Sequence, residues 1–273
     1  MALAERDFSY VRDLVYGSAA IVIEPGKEYL VESRLAPIAK EEGFVDLSGL
    51  VAKLRSAPQN GLHRKVVDAM TTNETTFFRD LYPFDMLRTE ILPRLIEARK
   101  STQVLTIWCA ACSTGQEPYS VAMLLREHFP LLSRWRVKIY ATDYCGPVLE
   151  KAKAGVFGQL EVNRGLPAPM LIKYFERRGS DFHIKDEIKS LIDFRQLNLM
   201  DQWPAMGPVS VIFIRNVLIY FDVATKKRIL SRAHDLLTPD GTLFLGGAET
   251  TLNLEDRFMP VRVARGVSFS RKP

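Results

Sequence analysis

Polar residues without an obvious packing role follow a predicted strand in the stretch "IWCAACSTGQEPYS" (residues 107–120). Gly115 lets the backbone approach a ligand closely, and Pro118 suits the first position of a helix. The exposed N–H groups at a helix start favour an acceptor or a negative charge. One glycine is less than the G-x-G-x-x-G of dinucleotide sites, and the sequence contains no G-x-x-x-x-G-K-[ST]. The stretch, with Ser113 and Glu117, therefore predicts a ligand site of another kind.

Two cysteines in the same stretch form a Cys-x-x-Cys, a pattern found in redox and zinc sites. A redox pair would use Cys109 and Cys112 near a helix start, where a thiolate is stabilised. Zinc would require two further ligands, yet Cys145 is alone and the four histidines lack metal-ligand spacing. Cysteine also packs as a small apolar residue where a strand turns tightly. We interpret the pair as packing residues and predict no metal.

Two more predicted strands end on polar residues, and in open α/β sheets ligands bind beyond the carboxyl ends of the strands. Asp143 ends the strand in "YATDY" and can accept hydrogen bonds from a ribose diol. It can equally cap the next helix, and the residue alone does not decide between the two roles. Arg215 and Asn216 interrupt the apolar run "FIRNVLIYF", where burying a charge and an amide is costly without partners. They predict a site at that strand end.

The stretch "MTTNETTFFRD" (residues 70–80) lies where a helical region gives way to a different pattern. In it Asn73, Thr75 and Arg79 surround two phenylalanines. One interpretation is a helix cap with two core aromatics. The other is a segment that lies across a cofactor cleft, and the sequence leaves both open.

Hydrophobic periodicity divides the chain at about residue 72. Residues 1–72 have apolar residues at helical spacing and predict a small all-helical domain. Residues 73–273 alternate strand-like and helical runs, which predicts an α/β domain with a mostly parallel sheet. The tail "FMPVRVARGVSFSRK" predicts a closing antiparallel hairpin around Arg265–Gly266. Residues 156–195 break the alternation with short strands, which indicates an excursion from the sheet.

The composition is that of an ordinary globular protein, with 47% hydrophobic and 25% charged residues. No apolar run reaches the ~18 residues that a membrane helix needs, and the N-terminus shows no signal-peptide pattern. We therefore expect a cytoplasmic protein without membrane insertion. The net charge of +5 is modest, and its spread along the chain favours a solvated surface over a nucleic-acid groove.

Five stretches between residues 70 and 222 together resemble the CheR family of chemotaxis receptor methyltransferases. They are "TTNETTFFRD", "STGQEPYSVAM", "ATDY", "LNL" and "FIRNVLIYFD", in this order. The resemblance covers essentially the whole chain. It implies a Rossmann-like, S-adenosylmethionine-dependent methyltransferase fold behind the all-helical domain, with a small antiparallel β-subdomain inserted at about 156–195. It also implies cofactor contacts from Asn73, Thr75, Arg79, Glu117, Asp143, Asn198, Leu199, Arg215 and Asn216.

This resemblance implies methyl transfer from S-adenosylmethionine to glutamate side chains of bacterial chemoreceptors for chemotactic adaptation. The product would be S-adenosylhomocysteine, no metal would take part, and the partner would be the cytoplasmic helical domain of methyl-accepting chemoreceptors. Tyr220 is our candidate for positioning the substrate carboxylate, helped by Arg79 or Arg215. It can equally be a core aromatic residue whose hydroxyl reaches the surface.

Tethering to a receptor's C-terminal pentapeptide is expected to be weak or absent. Family members that tether carry a glycine-containing insertion in a loop of the β-subdomain. The corresponding loop here, "RRGSDFHI", is short and has no G-x-G.

Other functions would leave different marks in the sequence. Nucleic-acid and glutamine-amide methyltransferases commonly carry an N-P-P-Y or D-P-P-Y turn after the fourth strand, where this chain reads "IRNVLIY". A nicotinamide oxidoreductase would need the glycine fingerprint. A cofactor-binding signalling scaffold, or a methyltransferase for a different protein substrate, would keep the same residues, so both stay open as alternatives.

Overall fold

The computed structural model describes residues 3–263 and 266–272. The chain divides into two compact units, Met1–Thr72 with Tyr220–Thr225, and Asn73–Ile219 with Lys226–Pro273. Within the described ranges, no helix is both long and apolar enough to span a membrane.

The first unit is helical, as its apolar spacing predicts. It contains α1 (Glu5–Ala19), α2 (Glu28–Glu41), α3 (Leu47–Ser56) and α4 (Gly61–Met70). Each helix turns an apolar face to a shared core, whose fully buried members include Val11, Val15, Leu35, Leu50 and Val66. The Asp46 carboxylate caps α3 by accepting a hydrogen bond of 2.8 Å from the Gly49 N–H. The predicted all-helical domain is confirmed.

The second unit is an α/β structure in which helices alternate with strands. A π-helical turn, Leu87–Ile91, joins its first two helices. Its helices are α5 (Tyr82–Met86), α6 (Leu92–Ala98), α7 (Gln116–His128), α8 (Gly146–Ala154), α9 (Gln159–Val162), α10 (Ala168–Tyr174), α11 (Asp186–Lys189) and α12 (Val223–Leu236). Its strands are β1 (Val104–Ala110), β2 (Arg136–Asp143), β3 (Val156–Phe157), β4 (Phe175–Arg178), β5 (Asp181–Ile184), β6 (Ile192–Gln196), β7 (Val209–Ile214), β8 (Leu237–Leu245), β9 (Phe258–Val263) and β10 (Gly266–Arg271).

The large sheet has the strand order β6-β2-β1-β7-β8-β10-β9. Strands β6, β2, β1, β7 and β8 are parallel, whereas β10 is antiparallel to both β8 and β9. The central strand β7 is buried along its whole length, and β1 is buried except at its first residue, as expected for parallel strands covered on both faces. The predicted parallel sheet and closing hairpin are confirmed. Ala264 and Arg265, in the predicted turn of the hairpin, lie outside the described residues.

A second, small antiparallel sheet has the order β3-β5-β4. Its strands lie within residues 156–184, and Phe157 of β3 and Phe175 of β4 form an edge-to-face aromatic cluster with Phe77. The predicted excursion extended to residue 195. Strand β6 instead pairs in parallel with β2, so Ile192–Gln196 belongs to the large sheet.

The run "VSVIFIRNVLIYF" is not one strand, contrary to its apolar pattern. Strand β7 ends at Ile214, and a short 3-10 turn, Leu218–Tyr220, follows it. Asn216 lies between them with a φ of 58°, a left-handed conformation that a strand cannot continue through. The charged and amide residues therefore mark the end of the strand.

Candidate active site

Most predicted site residues of the second unit follow the carboxyl ends of the adjacent parallel strands β6, β2, β1 and β7: Asn198, Leu199, Asp143, Glu117, Arg215 and Asn216. The chain passes from β1 outward to β2 and β6, and then crosses to β7 on the other side of β1. The gap between β1 and β7 is thus the switch point where open α/β sheets bind ligands. The backbone at this edge is locally strained, since Ala111, Ser113 and Asn216 all have positive φ.

Asp143 connects the end of β2 to the bend after β1. Its Oδ2 accepts a hydrogen bond of 2.8 Å from the Ser113 N–H, and its Oδ1 accepts one of 2.9 Å from the Cys145 N–H. Helix α8 has no side-chain cap, so Asp143 is not the helix cap that the sequence left open. The Asp143 carboxylate therefore lies between the end of β2 and the bend after β1, where the sequence predicted a contact with a ribose diol.

Gly115 lies at the bend after β1, where both its backbone conformation and its close neighbours require a glycine. Its φ is 94°, and a Cβ there would lie 3.0 Å from Ala152 Cβ and 3.1 Å from the Tyr119 ring. The glycine therefore allows the bend to turn and to pack against α8. The helix begins at Gln116, so Pro118 is its third residue; the proline loses no intrahelical bond, because the first N–H groups of a helix have no partner.

Arg215 is the charged centre of the site. Its side chain is only 2% exposed and forms ion pairs of 2.8 Å with Glu117 and 2.7 Å with Asp80. It also donates a hydrogen bond of 3.0 Å to the Arg79 carbonyl. Its Nε is buried without a hydrogen-bond partner among the described residues. The Glu117 and Asp80 carboxylates and the Arg79 carbonyl thus offset the cost of burying the Arg215 charge in an apolar run.

The Arg215 and Glu117 charges are set by burial and by each other. Burial alone would lower the pKa of Arg215, but the Glu117 and Asp80 carboxylates outweigh it and hold that pKa above its usual value. Burial raises the pKa of Glu117, and Arg215 opposes that rise. Loss of the guanidinium would therefore leave a buried carboxyl group that favours its protonated form.

The segment 70–80 supplies two core aromatic residues and also reaches the bend after β1. Phe77 and Phe78 are buried, and the Phe78 N–H donates to the Ser120 Oγ at 2.9 Å. The Asn73 carbonyl accepts a hydrogen bond of 2.7 Å from the Ser113 Oγ, which brings the segment to the bend after β1. Thr75 and Arg79 are partly exposed there.

Asn198 and Leu199 follow β6, next to the end of β2. The Leu197 N–H donates to the Asp143 carbonyl at 2.9 Å, and the Asn198 Oδ1 accepts from the Met200 N–H at 3.0 Å. The Leu199 carbonyl accepts hydrogen bonds from Arg232 and from the Trp203 indole, at 3.0 and 3.1 Å. The Arg232 guanidinium also stacks on Trp203, 4.1 Å from the ring centroid. Arg232 lies on α12, so this helix holds the loop that follows β6. The sequence analysis did not predict this role for its arginines.

Glu249, in the loop after β8, is a residue that the sequence reasoning missed. Its carboxylate accepts hydrogen bonds from the backbone N–H groups of Gly246 and of residues 216–219. Its only sequence signal was its position just beyond a predicted strand, in "GGAE".

Tyr220 is half-buried and belongs to the helical unit. Its carbonyl accepts a hydrogen bond of 2.8 Å from the Val22 N–H, beside an antiparallel bridge between Ile21 and Phe221. Its role in positioning a substrate stays a prediction.

The cysteines have the environment of packing residues. Cys109 and Cys112 are buried and not in a disulfide. Burial, followed by the nearby carboxylates, raises the pKa of both thiols well above the usual value, so neither has the stabilised thiolate of a redox pair. Among the described residues, no group of three or more His, Cys, Asp or Glu side chains could hold a metal ion.

Comparison with known proteins gives a match along the whole chain. Residues 6–71 match the family described as "CheR methyltransferase, all-alpha domain", and residues 73–267 match "CheR methyltransferase, SAM binding domain". Chemotaxis protein methyltransferase 1 of Pseudomonas aeruginosa is 42% identical, covering 100% of both chains. Chemotaxis protein methyltransferase Cher2 of Pseudomonas putida is 39% identical, also covering 100% of both. The chemotaxis protein methyltransferase of Vibrio parahaemolyticus is 40% identical, covering 98% of this chain and 96% of its own. This chain therefore belongs to the CheR methyltransferase family and is an S-adenosylmethionine-dependent methyltransferase of chemotaxis.

Proposed function

We propose that this protein transfers a methyl group from S-adenosylmethionine to glutamate side chains of bacterial chemoreceptors, forming glutamyl methyl esters. The observation that carries the proposal is the buried Arg215 at the switch point of the sheet, whose Nε has no hydrogen-bond partner in the part of the chain that the structure describes. A fixed guanidinium suits a carboxylate, whether it belongs to the amino-acid part of the methyl donor or to a substrate glutamate. The names of the similar proteins, chemotaxis protein methyltransferases, support the chemoreceptor as the substrate.

The residues at the strand ends fit the methyl donor chemically. The donor supplies an electrophilic methyl group on a positively charged sulfonium. Asp143 places a carboxylate at the end of β2, the group and position that accept hydrogen bonds from a ribose diol in Rossmann-type sites. Glu117 places a carboxylate beside Arg215, where a cationic part of the donor would be favoured. We include Asn73, Thr75, Arg79, Asn198, Leu199 and Asn216 in the same binding set.

Methylation of a glutamate side chain requires little acid–base catalysis from the protein. Its carboxylate is ionised at neutral pH, since the ordinary pKa is about 4.3, so no general base is needed. One carboxylate oxygen forms the new bond to the methyl carbon while the carbon–sulfur bond breaks and its electron pair stays on sulfur. The protein contributes alignment, worth about 7–11 kcal/mol, and removes water from the nucleophile. We assign the orientation of the substrate carboxylate to Tyr220 and Arg215.

The short connection in the small sheet supports recognition of the receptor without a tether. Strand β4 ends at Arg178 and β5 begins at Asp181, so Gly179 and Ser180 alone form the turn. Gly179 has a φ of 63°, as tight hairpin turns require. We propose that methylation does not depend on a receptor's C-terminal pentapeptide.

The test is transfer of radiolabelled methyl groups to purified cytoplasmic fragments of chemoreceptors, each with and without its last five residues. Wild type is compared with Asp143→Ala, and with Asp193→Ala as a control. Asp193 lies on β6, the strand next to β2, and its partners are Arg195 and Lys138 on the surface.

We expect base-labile label on glutamate. The label should be lost in Asp143→Ala, kept in Asp193→Ala, and equal on receptors with and without the last five residues. Label that requires the tail would overturn the untethered mode alone. Binding of S-adenosylmethionine without label on any receptor would overturn the proposed substrate and favour a signalling scaffold or another protein target.

A further inference from the structure

The Glu249 carboxylate is surrounded by backbone donors from two different loops. Its Oε2 accepts from the N–H groups of Asn216, at 2.9 Å, and Gly246, at 2.6 Å. Its Oε1 accepts from Val217 at 2.9 Å, Leu218 at 2.7 Å and Ile219 at 3.3 Å. One side chain thus ties the segment 216–219, which follows β7, to the loop that follows β8.

These donors need an acceptor that secondary structure does not provide. Asn216 and Val217 lie between the end of β7 and a single 3-10 turn, of which Leu218 and Ile219 are the first two residues. Asn216 has a φ of 58°. Successive N–H groups in such a turn point to one side and form a concave anion site. A carboxylate is the side-chain group best suited to it, because it is purely an acceptor and carries the complementary charge.

The two loops approach so closely that only glycine fits at residue 246. A Cβ there would lie 2.7 Å from the Asn216 Nδ2 and 2.7 Å from the Glu249 Oε2. The Asn216 backbone N would lie 2.8 Å away as well, and real Cβ atoms do not come that near. Gly246 therefore lets the loop after β8 close on Asn216, whose backbone N–H the Glu249 carboxylate binds. Asn216 directly follows Arg215, the centre of the ion-pair cluster.

We propose that Glu249 is a positioning residue: it holds segment 216–219 so that Asn216 and Arg215 present their side chains to the methyl donor. It acts through these residues and does not itself touch the donor. The inference rests on the proposed function only for its last readout, the transfer rate. Its first two readouts are backbone exchange and binding of S-adenosylhomocysteine, which need no receptor.

The experiment compares Glu249→Gln with wild type and with Glu255→Gln as a matched control. Glutamine keeps the shape, but its NH₂ group would face backbone N–H donors in place of one oxygen. Glu255 lies in the same loop, and its side-chain contacts are with Arg257, so the same chemical change there leaves segment 216–219 untouched. Glu249→Asp keeps the charge on a shorter side chain and tests for rescue.

Three quantities are measured at a temperature where every variant is folded. In Glu249→Gln, amide hydrogen exchange at residues 216–219 should accelerate at least about tenfold, and the Kd for S-adenosylhomocysteine by calorimetry should rise about tenfold or more. The kcat for methyl transfer should fall together with this loss of affinity. Glu255→Gln should match wild type in all three, and Glu249→Asp should lie between.

Unchanged exchange at residues 216–219 in Glu249→Gln would overturn the inference, because the segment would then not depend on the carboxylate. Faster exchange with an unchanged Kd would also overturn it, since Glu249 would then stabilise the loop without positioning the site. A wild-type protein that binds S-adenosylhomocysteine but methylates no receptor fragment would overturn the proposed function instead. Exchange and affinity would still decide the role of Glu249 in that case.

Discussion

The buried ion pair between Arg215 and Glu117 predicts a specific pattern of stability losses. Their side chains are 2% and 12% exposed, so water cannot take over the role of a missing partner. Removing one partner of a buried pair typically costs about 3–5 kcal/mol, whereas replacing both with uncharged groups of similar size is often close to neutral. We expect Arg215→Met to lower the free energy of unfolding by about 3–5 kcal/mol at pH 8, because it leaves Glu117 buried and unpaired.

Glu117→Gln should cost less, about 1–3 kcal/mol, because Arg215 keeps its ion pair with Asp80. The double variant contains no unpaired buried charge at this pair. Its loss should therefore be smaller than the sum of the two single losses by about 2 kcal/mol or more, within the range of coupling energies measured for residues in direct contact.

The decrease in the free energy of unfolding caused by Arg215→Met should also depend on pH. Burial raises the pKa of Glu117 already in the wild type, and without the guanidinium it rises further. The window lies between the pKa of Glu117 in the unfolded state and its higher pKa in the folded variant. Within it the folded variant binds more protons than the unfolded state, so the stability of the variant falls as pH rises. Arg215→Met should therefore be closer to wild type at pH 5 than at pH 8.

The assay is urea unfolding followed by far-UV circular dichroism, for all four members of the cycle at both pH values. Additive losses, within about 0.5 kcal/mol, would show that the two side chains do not stabilise each other. A difference between Arg215→Met and wild type that is the same at pH 5 and pH 8 would show that Glu117 does not carry an uncompensated charge. Either result would refute this account of the pair.

Two further predictions concern the bend after β1 and the loop after β8. Gly115→Ala should lower the free energy of unfolding by about 1–3 kcal/mol, because its φ of 94° is strained for alanine and its Cβ would press on α8; an unchanged thermal midpoint would contradict this. Hydrogen bonds from Arg257 lower the pKa of Glu255 to about 2. Its stabilising contribution is therefore present above the ordinary pKa of a glutamate and is lost as pH falls through about 2. The stability difference between wild type and Glu255→Gln should narrow over that range in acid unfolding curves, and a constant difference would contradict the assignment.

Much of the architecture follows from the sequence because local patterns encode it. Buried parallel strands have continuous apolar runs, and the helices between them have a different period, so the α/β class and the helical domain could be predicted. The polar residues at strand ends, such as Asp143 and Arg215, could be identified because they interrupt or end those runs. The boundary of β6 could not, because membership of a sheet depends on which strand lies beside it, and "IDFRQ" looks alike in either sheet.

The partners of those polar residues could not be read from local patterns. Arg215 meets Asp80 from 135 positions earlier in the chain, and Glu249 meets the N–H groups of residues about 30 positions earlier. A backbone donor leaves no mark in an amino-acid sequence, so nothing distinguishes Glu249 from a surface glutamate. The one available hint was the position of Glu249 just beyond a predicted strand, in "GGAE".

The strand order explains why these contacts converge on one place. Parallel neighbours bring their carboxyl ends to the same edge, so the order β6-β2-β1-β7-β8 places each strand-end loop beside the next. Asp143 at the end of β2 reaches the bend after β1, Arg215 after β7 reaches Glu117 after β1, and Glu249 after β8 reaches the segment after β7. Each charged group thus holds the loop of the neighbouring strand. A change in the loop after β8 should therefore alter the position of Arg215 and Asn216, the binding residues that follow β7. This arrangement is the physical reason to look for the effect of Glu249 in the affinity for the cofactor product.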